Sequence, residues 1–228
     1  MGIPINVDDV TMKTRYGWLL DDVADGNIQP AEFKERLTIL EKTKNVQEVV
    51  ENKVGTEAYR GNDFGNPMYS RNYAVGDYNI TYTPPETGVK HKNISDDYIS
   101  ISGKKMPQEV NSFSPKQTVD VEGAERKFIP AASKTEKQRL PVTRPRADQD
   151  SERKLFAHIL KELEKLSGKK LVEGGKYQGQ GFSGEINITS QMKPCISCDS
   201  LIKIELFNMF GNDIKINVKY GVDFKLEE

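Results

Sequence analysis

Residues 126–228 predict an α/β fold in which helices pack on a sheet that contains a parallel pair. Three observations point there. Leu155, Phe156, Ile159, Leu160, Leu163 and Leu166 recur at helical spacing on one face of the stretch Ser151–Leu166. Glu185–Ser190 and Ile214–Tyr220 alternate apolar and polar residues, as strands with one buried face do. The second helical stretch, Cys195–Phe210, makes the connection between those strands about 20 residues long, enough to return the chain parallel to itself. Ser167-Gly168 and Gly211-Asn212 supply the helix stops.

Composition says that a core cannot extend evenly over the chain. Of 228 residues 36% are hydrophobic and 29% charged, and the mean hydropathy is −0.64. Apolar residues must therefore be concentrated in part of the sequence. Lys plus Arg (33) nearly balances Asp plus Glu (34), so net charge argues neither for nor against a polyanionic partner. The sequence has no apolar run of membrane-spanning length and no basic, apolar, small-residue pattern at its start, so neither a membrane span nor a secretory signal peptide is expected.

Residues 1–55 read as a helical hairpin. Trp18, Leu19, Leu20 and Val23 end one helix, Asp25-Gly26-Asn27 breaks it, and Pro30 with Glu32 in the first turn starts the next. Phe33, Leu37, Ile39, Leu40, Val46, Val49 and Val50 give the second helix its apolar stripe. Asp21–Glu32 imitates a calcium loop, but Val23 stands at a ligand position and Pro30 falls inside it. A helix stop followed by a helix start accounts for the same letters. Residues 56–125 read as a loop-rich region or linker, with strand candidates at Tyr78–Thr83 and Asp97–Ser102 and with tyrosines that staple the loops. From Arg126 to Arg146 seven basic residues face only Glu136, as in a solvated linker or a segment that tracks phosphates. Phe128-Ile129 and Leu140-Pro141-Val142 within it could form two short strands. No internal repeat is present.

The only cysteines stand in Pro194-Cys195-Ile196-Ser197-Cys198. Two residues between them make a poor disulfide framework and leave a metal site, a redox dithiol or idle thiols. Where a strand gives way to a helix, this spacing puts both thiols on one helix face. Upstream, Asp150-Ser151-Glu152 opens the first helix, and Glu152 lies on the side that later turns make apolar. Helix-start chemistry offers a plain explanation, with Asp150 as N-cap and Glu152 complementing the dipole. Lys154 and His158 fall on the polar face, and His91 and His158 lie too far apart in sequence to supply the second half of a structural zinc site. A joint explanation covers both motifs. Zinc held by two thiolates and one further side chain, with water in the fourth position, is catalytic because the metal lowers the pKa of that water toward about 7. A nearby non-ligand carboxylate can then shuttle the proton, which is the chemistry of hydrolytic base deamination.

Asp150-Ser151-Glu152-Arg153-Lys154-Leu155, a helix, a strand ending in Ser190-Gln191-Met192-Lys193, then Pro194-Cys195-Ile196-Ser197-Cys198 and a helix leading to Ile214–Val218 together resemble the zinc-dependent nucleobase deaminase superfamily. More narrowly the chain is similar to toxin domains of bacterial polymorphic toxins, over about residues 126–224. The resemblance implies a three-layer cytidine-deaminase-like sheet, with a fifth strand usual after the fourth. It implies Zn2+ as cofactor, Cys195 and Cys198 as thiolate ligands, Glu152 as proton shuttle, and Asp150 in the ligand position that His or Cys usually holds. The expected substrate is cytosine or adenine, in DNA or RNA and more readily single-stranded, or in a nucleotide. The expected setting is bacterial competition, with a dedicated immunity protein as partner. The chain would be secreted by a non-classical route and act in the target-cell cytoplasm, or else be cytoplasmic. The rival readings are an interaction module with a structural zinc and a dithiol redox protein.

Overall fold

The structure, a computed structural model, describes residues 19, 23–54, 72–87, 92–102, 118–121, 124–129, 150–172 and 174–222. Among them six strands form one mixed, open sheet in the order β3-β4-β2-β1-β5-β6. β1 (Tyr73–Tyr82) and β2 (Lys92–Ile101) make an antiparallel hairpin, Tyr73 opposite Ile101 and Tyr82 opposite Lys92. β3 (Thr118–Val121) pairs antiparallel with β4 (Ala124–Ile129), and β4 runs parallel to β2. β5 (Phe182–Met192) is antiparallel to β1, and β6 (Ile214–Val222) is parallel to β5, as the long connection predicts.

Helices cover both faces. α1 (Pro30–Val54) starts at the expected proline and crosses one face, touching β6, β5, β1 and β3. α2 (Ser151–Ser167) lies against β1, β2 and β4. Two neighbouring residues of β5 establish the layering, because successive strand side chains point to opposite faces. Ser190 Oγ donates to Glu152 of α2 at 2.7 Å, while Gln191 Nε2 donates to Gln47 of α1 at 3.0 Å. The larger core lies on the α2 side, where Leu155, Phe156, Ile159 and Leu163 meet Ala74, Tyr78 and Ile80 of β1 and Ile186 and Ile188 of β5. A smaller cluster, Leu19, Ile28, Leu37, Leu40 and Val222, seats α1. No helix among the described residues is long and apolar enough to cross a membrane.

Two expectations change here. The sheet runs across the boundary expected at residue 126, since β1, flanked by β2 and β5, comes from the stretch read as a linker over 56–125. Its polar centre hid it. Gly76 packs closely under α2, since a Cβ there would sit 3.1 Å from Cδ2 of Leu155, and Asp77 accepts a hydrogen bond from Asn187 Nδ2 of β5 at 2.9 Å. The tyrosines staple this sheet instead of loops: Tyr73, Tyr78, Tyr82 and Tyr98 are all buried, with the Tyr78 and Tyr98 rings stacked at 5.8 Å. The second correction concerns the face of α2 read as polar. His158 is buried with its ring edge-on to Tyr98 at 4.6 Å, and Lys154 is 1% exposed, its Nζ donating to Ile101 O at 2.7 Å. β2 lies where solvent was expected. His91, the Leu140–Val142 segment, the basic residues after Ile129 and most of the first hairpin helix lie outside the described residues.

α2 stops where Gly168 turns left-handed at φ 72°, its N–H reaching Glu164 O. The second helical stretch is three pieces in one rod: α3 (Ile196–Ser200), a π-helical turn (Leu201–Glu205) and α4 (Leu206–Phe210). Leu201, Leu206, Met209 and Phe210 all enter the α2-side core. α2 and this rod therefore share one face of the sheet.

Candidate metal centre

Both motifs converge where β5 ends. Lys193 N–H still bonds Val222 O at 2.8 Å, extending the β5–β6 ladder, and Pro194, which has no N–H to give, ends it. Cys195 then takes the N-cap position of α3 with extended backbone (φ −63°, ψ 164°), and Asp199 N–H bonds its carbonyl at 2.8 Å. One helical turn later Cys198 is fully buried, while Cys195 is partly exposed.

Asp150 sits at the N-cap of α2 with extended backbone, but its side chain makes no capping hydrogen bond. Instead Oδ2 accepts from Cys195 Sγ at 3.1 Å and from Cys198 Sγ at 3.5 Å. The plain helix-start reading of Asp150 therefore does not describe its carboxylate. One ligand atom from each of Asp150, Cys195 and Cys198 lies within 4.8 Å of the others, and among the described residues no other such trio of metal-ligating side chains converges. Tetrahedral zinc, with bonds of ~2.3 Å to sulfur and ~2.1 Å to oxygen, spaces its ligand atoms ~3.6–3.8 Å apart. The donor set fits a borderline-soft divalent cation with a fourth position left over.

The thiols are chemically unequal. A hydrogen bond with Cys198 lowers the Cys195 pKa below the usual thiol range. Cys198 is pushed far above that range by the same shared proton, by burial and by the charges of Glu152 and Asp150. A cation entering here displaces that proton, so its affinity rises with pH.

Glu152, one position beyond Ser151, is 3% exposed and faces inward. Its Oε1 accepts from Ser190 Oγ at 2.7 Å and from Asn72 Nδ2 at 3.0 Å, and its Oε2 accepts from Ser151 Oγ at 3.2 Å. Burial raises its pKa, outweighing the hydrogen bond from Ser190 and lesser contacts that lower it. Arg153 bridges the two motifs, its Nη2 donating to Ser197 Oγ at 3.1 Å and Ser197 O at 3.4 Å, between the two cysteines. The four residues named from sequence for this site thus stand together, three around one point and the fourth as a buried carboxylate beside them. Sequence reasoning missed Asn72, Ser190 as a partner, and the Arg153 brace. Asn72 had no signal, since its side-chain partners are 79 to 120 residues away.

No protein-family model, curated protein or solved structure matches the chain. The chemistry of the site therefore carries the functional reading.

Proposed function

We propose that the chain is a zinc-dependent nucleobase deaminase, acting on cytosine or adenine in nucleic acid. One observation carries this: Asp150, Cys195 and Cys198 converge within 4.8 Å while Glu152, two residues from Asp150, is a buried carboxylate that is not part of the trio. A merely structural zinc site needs no such carboxylate, and burying one without a role is costly. Helices on both faces of a mixed sheet, with both motifs opening helices on the same face, support the cytidine-deaminase-like form of the fold.

Asp150, Cys195 and Cys198 would hold the zinc, which when bound supplies an acidified water and so a nucleophile at neutral pH. Glu152 would accept one proton from the attacking water and deliver it to the ring nitrogen beside the amino-bearing carbon. The water oxygen would bond to C4 of cytosine or C6 of adenine, and Glu152 would then carry the remaining hydroxyl proton to the exocyclic amino group, so that the C–N bond breaks, ammonia leaves and the carbonyl forms. The setting, a toxin domain of bacterial competition countered by an immunity protein and delivered by a non-classical route, is proposed from the sequence resemblance.

Zinc quantification alongside deep sequencing of nucleic acid from cells expressing wild type or Glu152→Ala tests this. The expected result is about one zinc per chain and base transitions in wild type only. No zinc and no transitions above the variant background would end the proposal. The lowered Cys195 pKa favours a second reading, a redox dithiol. A titratable Cys195–Cys198 disulfide in zinc-free protein would select it.

A further inference from the structure

Resting on that reading, we infer that Asn72 is the positioning residue of the Glu152 proton shuttle, and that together with Ser190 it reserves Oε2 as the oxygen that exchanges the proton. Asn72 immediately precedes β1, and each of its polar groups is engaged. Its backbone N–H reaches Ser102 Oγ at 2.8 Å and its carbonyl accepts from Ser102 N–H at 2.9 Å, locking the start of β1 to the end of β2. Its side-chain Oδ1 accepts from Met192 N–H at 3.1 Å. Because that donor requires an acceptor, the amide orientation is fixed, and Nδ2 must point at Glu152 Oε1, Ser151 Oγ and Ser190 Oγ at 3.0, 2.9 and 2.9 Å.

The consequence falls on the two carboxylate oxygens. Oε1 takes donors from both Asn72 and Ser190, which occupies its two lone-pair directions. Oε2 has one longer side-chain contact, from Ser151 at 3.2 Å. The proton from water therefore arrives at Oε2: a water O–H bond breaks, an Oε2–H bond forms, and the same proton then leaves Oε2 for the ring nitrogen, returning the carboxylate unchanged. Four separate parts of the chain meet at Asn72, which ties shuttle geometry to the packing of β1, β2, β5 and α2.

The test uses the full chain, as zinc-loaded protein for kinetics on single-stranded DNA and RNA oligonucleotides containing cytosine and adenine, and as metal-free protein for melting. Asn72→Ala should lower kcat by about 10- to 100-fold with KM within about twofold and zinc content kept, and in the Glu152→Gln background it should lower kcat no further. Asn72→Asp, the same size but facing Glu152 with a second carboxylate, should be at least as impaired. In metal-free protein Asn72→Ala should lower Tm more in wild type than in the Glu152→Gln background, a coupling that does not depend on the activity. Should Asn72→Ala fail to fold, Ser190→Ala decides, since it removes one Oε1 donor and leaves the contacts of Asn72 with Ser102 and Met192; a loss of kcat with zinc kept is expected. Wild-type kcat in the folded variant, an equal loss in the Glu152→Gln background, or loss of zinc would overturn the inference. A wild-type chain with neither zinc nor activity would remove the deaminase reading and the shuttle role with it, while the melting coupling would still report the Asn72–Glu152 contact.

Discussion

Glu152 sets chemistry against stability. Its folded-state pKa lies above the ordinary glutamate value of 4.5, chiefly through burial. Below that value both folded and unfolded chains carry the proton and nothing is lost. As pH rises the unfolded chain ionises first, so the stability present at low pH falls away until the folded-state pKa is passed. Glu152→Gln keeps the shape and removes the charge. Metal-free Glu152→Gln should melt higher than wild type at pH 8, by on the order of 1 kcal/mol or ~2–4 °C, with a narrower gap at pH 5. Calorimetry at the two pH values checks it, and a gap that stays constant or reverses sign would contradict the buried-charge account. At this scale the site was legible where the chemistry is local in sequence. Two thiols at a spacing of three and an Asp-x-Glu at a helix start announce themselves, and Asp150, Cys195 and Cys198 converge while Glu152 is buried two residues from Asp150. Asn72 could not be found, because its role exists only once the ends of β1, β2 and β5 are brought together. Lys154 and His158 were misread because helical periodicity tells which face is apolar, and does not tell that β2 also covers the other.

At the level of elements, the rod between β5 and β6 was expected as a single regular helix over Cys195–Phe210. Its apolar positions contain the correction: Leu201 and Leu206, both buried, are five residues apart, one more than an α-helix places on a single face. The π turn absorbs the extra residue, with Leu206 N–H bonded to Leu201 O, and Ile204 is left 52% exposed. It lets Cys198 on one side and Leu206, Met209 and Phe210 on the other address the same sheet face. Deleting Ile204 should close the turn to ordinary α geometry without rotating either flank. The expected result is a folded chain with zinc content kept and Tm within a few degrees, about what removal of one exposed surface residue costs. Deleting Glu162 from α2 should instead swing Leu163 and Leu166 by about 100° away from the core and abolish cooperative melting. Circular dichroism and metal analysis of the two deletions settle it, and equal damage from both would show that the π turn is not an inserted residue. β5 and β6 were legible because each alternates and is bounded by Gly or Pro, whereas only the second half of β1 was recognised, since Gly76 and Asp77 interrupt its apolar pattern.

For the molecule as a whole, the decisive pairing is the one that joins sequence-distant halves. β5, the strand that delivers the cysteines, pairs with β1 from Ala74 opposite Ser190 to Tyr82 opposite Phe182. A chain beginning at residue 126 would keep the four site residues and lose that neighbour. β5 would be left with β6 alone under the rod, while α2 would lose β1 and β2, the strands it packs on, and a two-stranded sheet is marginal in water. The core would lose Ala74, Tyr78, Ile80, Tyr82 and Tyr98, and at ~1.5–3 kcal/mol for each large buried side chain the deficit is of the same size as the ~5–15 kcal/mol that holds a typical domain folded. Glu152 would lose the Asn72 amide and Lys154 the Ile101 carbonyl, leaving two buried charges without those hydrogen-bond partners. The fragment 126–228 should therefore show no cooperative thermal transition and bind no stoichiometric zinc, although it holds every residue of the Asp150–Cys195–Cys198 trio. Melting followed by circular dichroism, with zinc measured after gel filtration, checks this against the full chain. A fragment that melts cooperatively with one zinc bound would mean that the C-terminal part carries its own core, and that the β1–β5 pairing is an accessory to the site instead of its foundation.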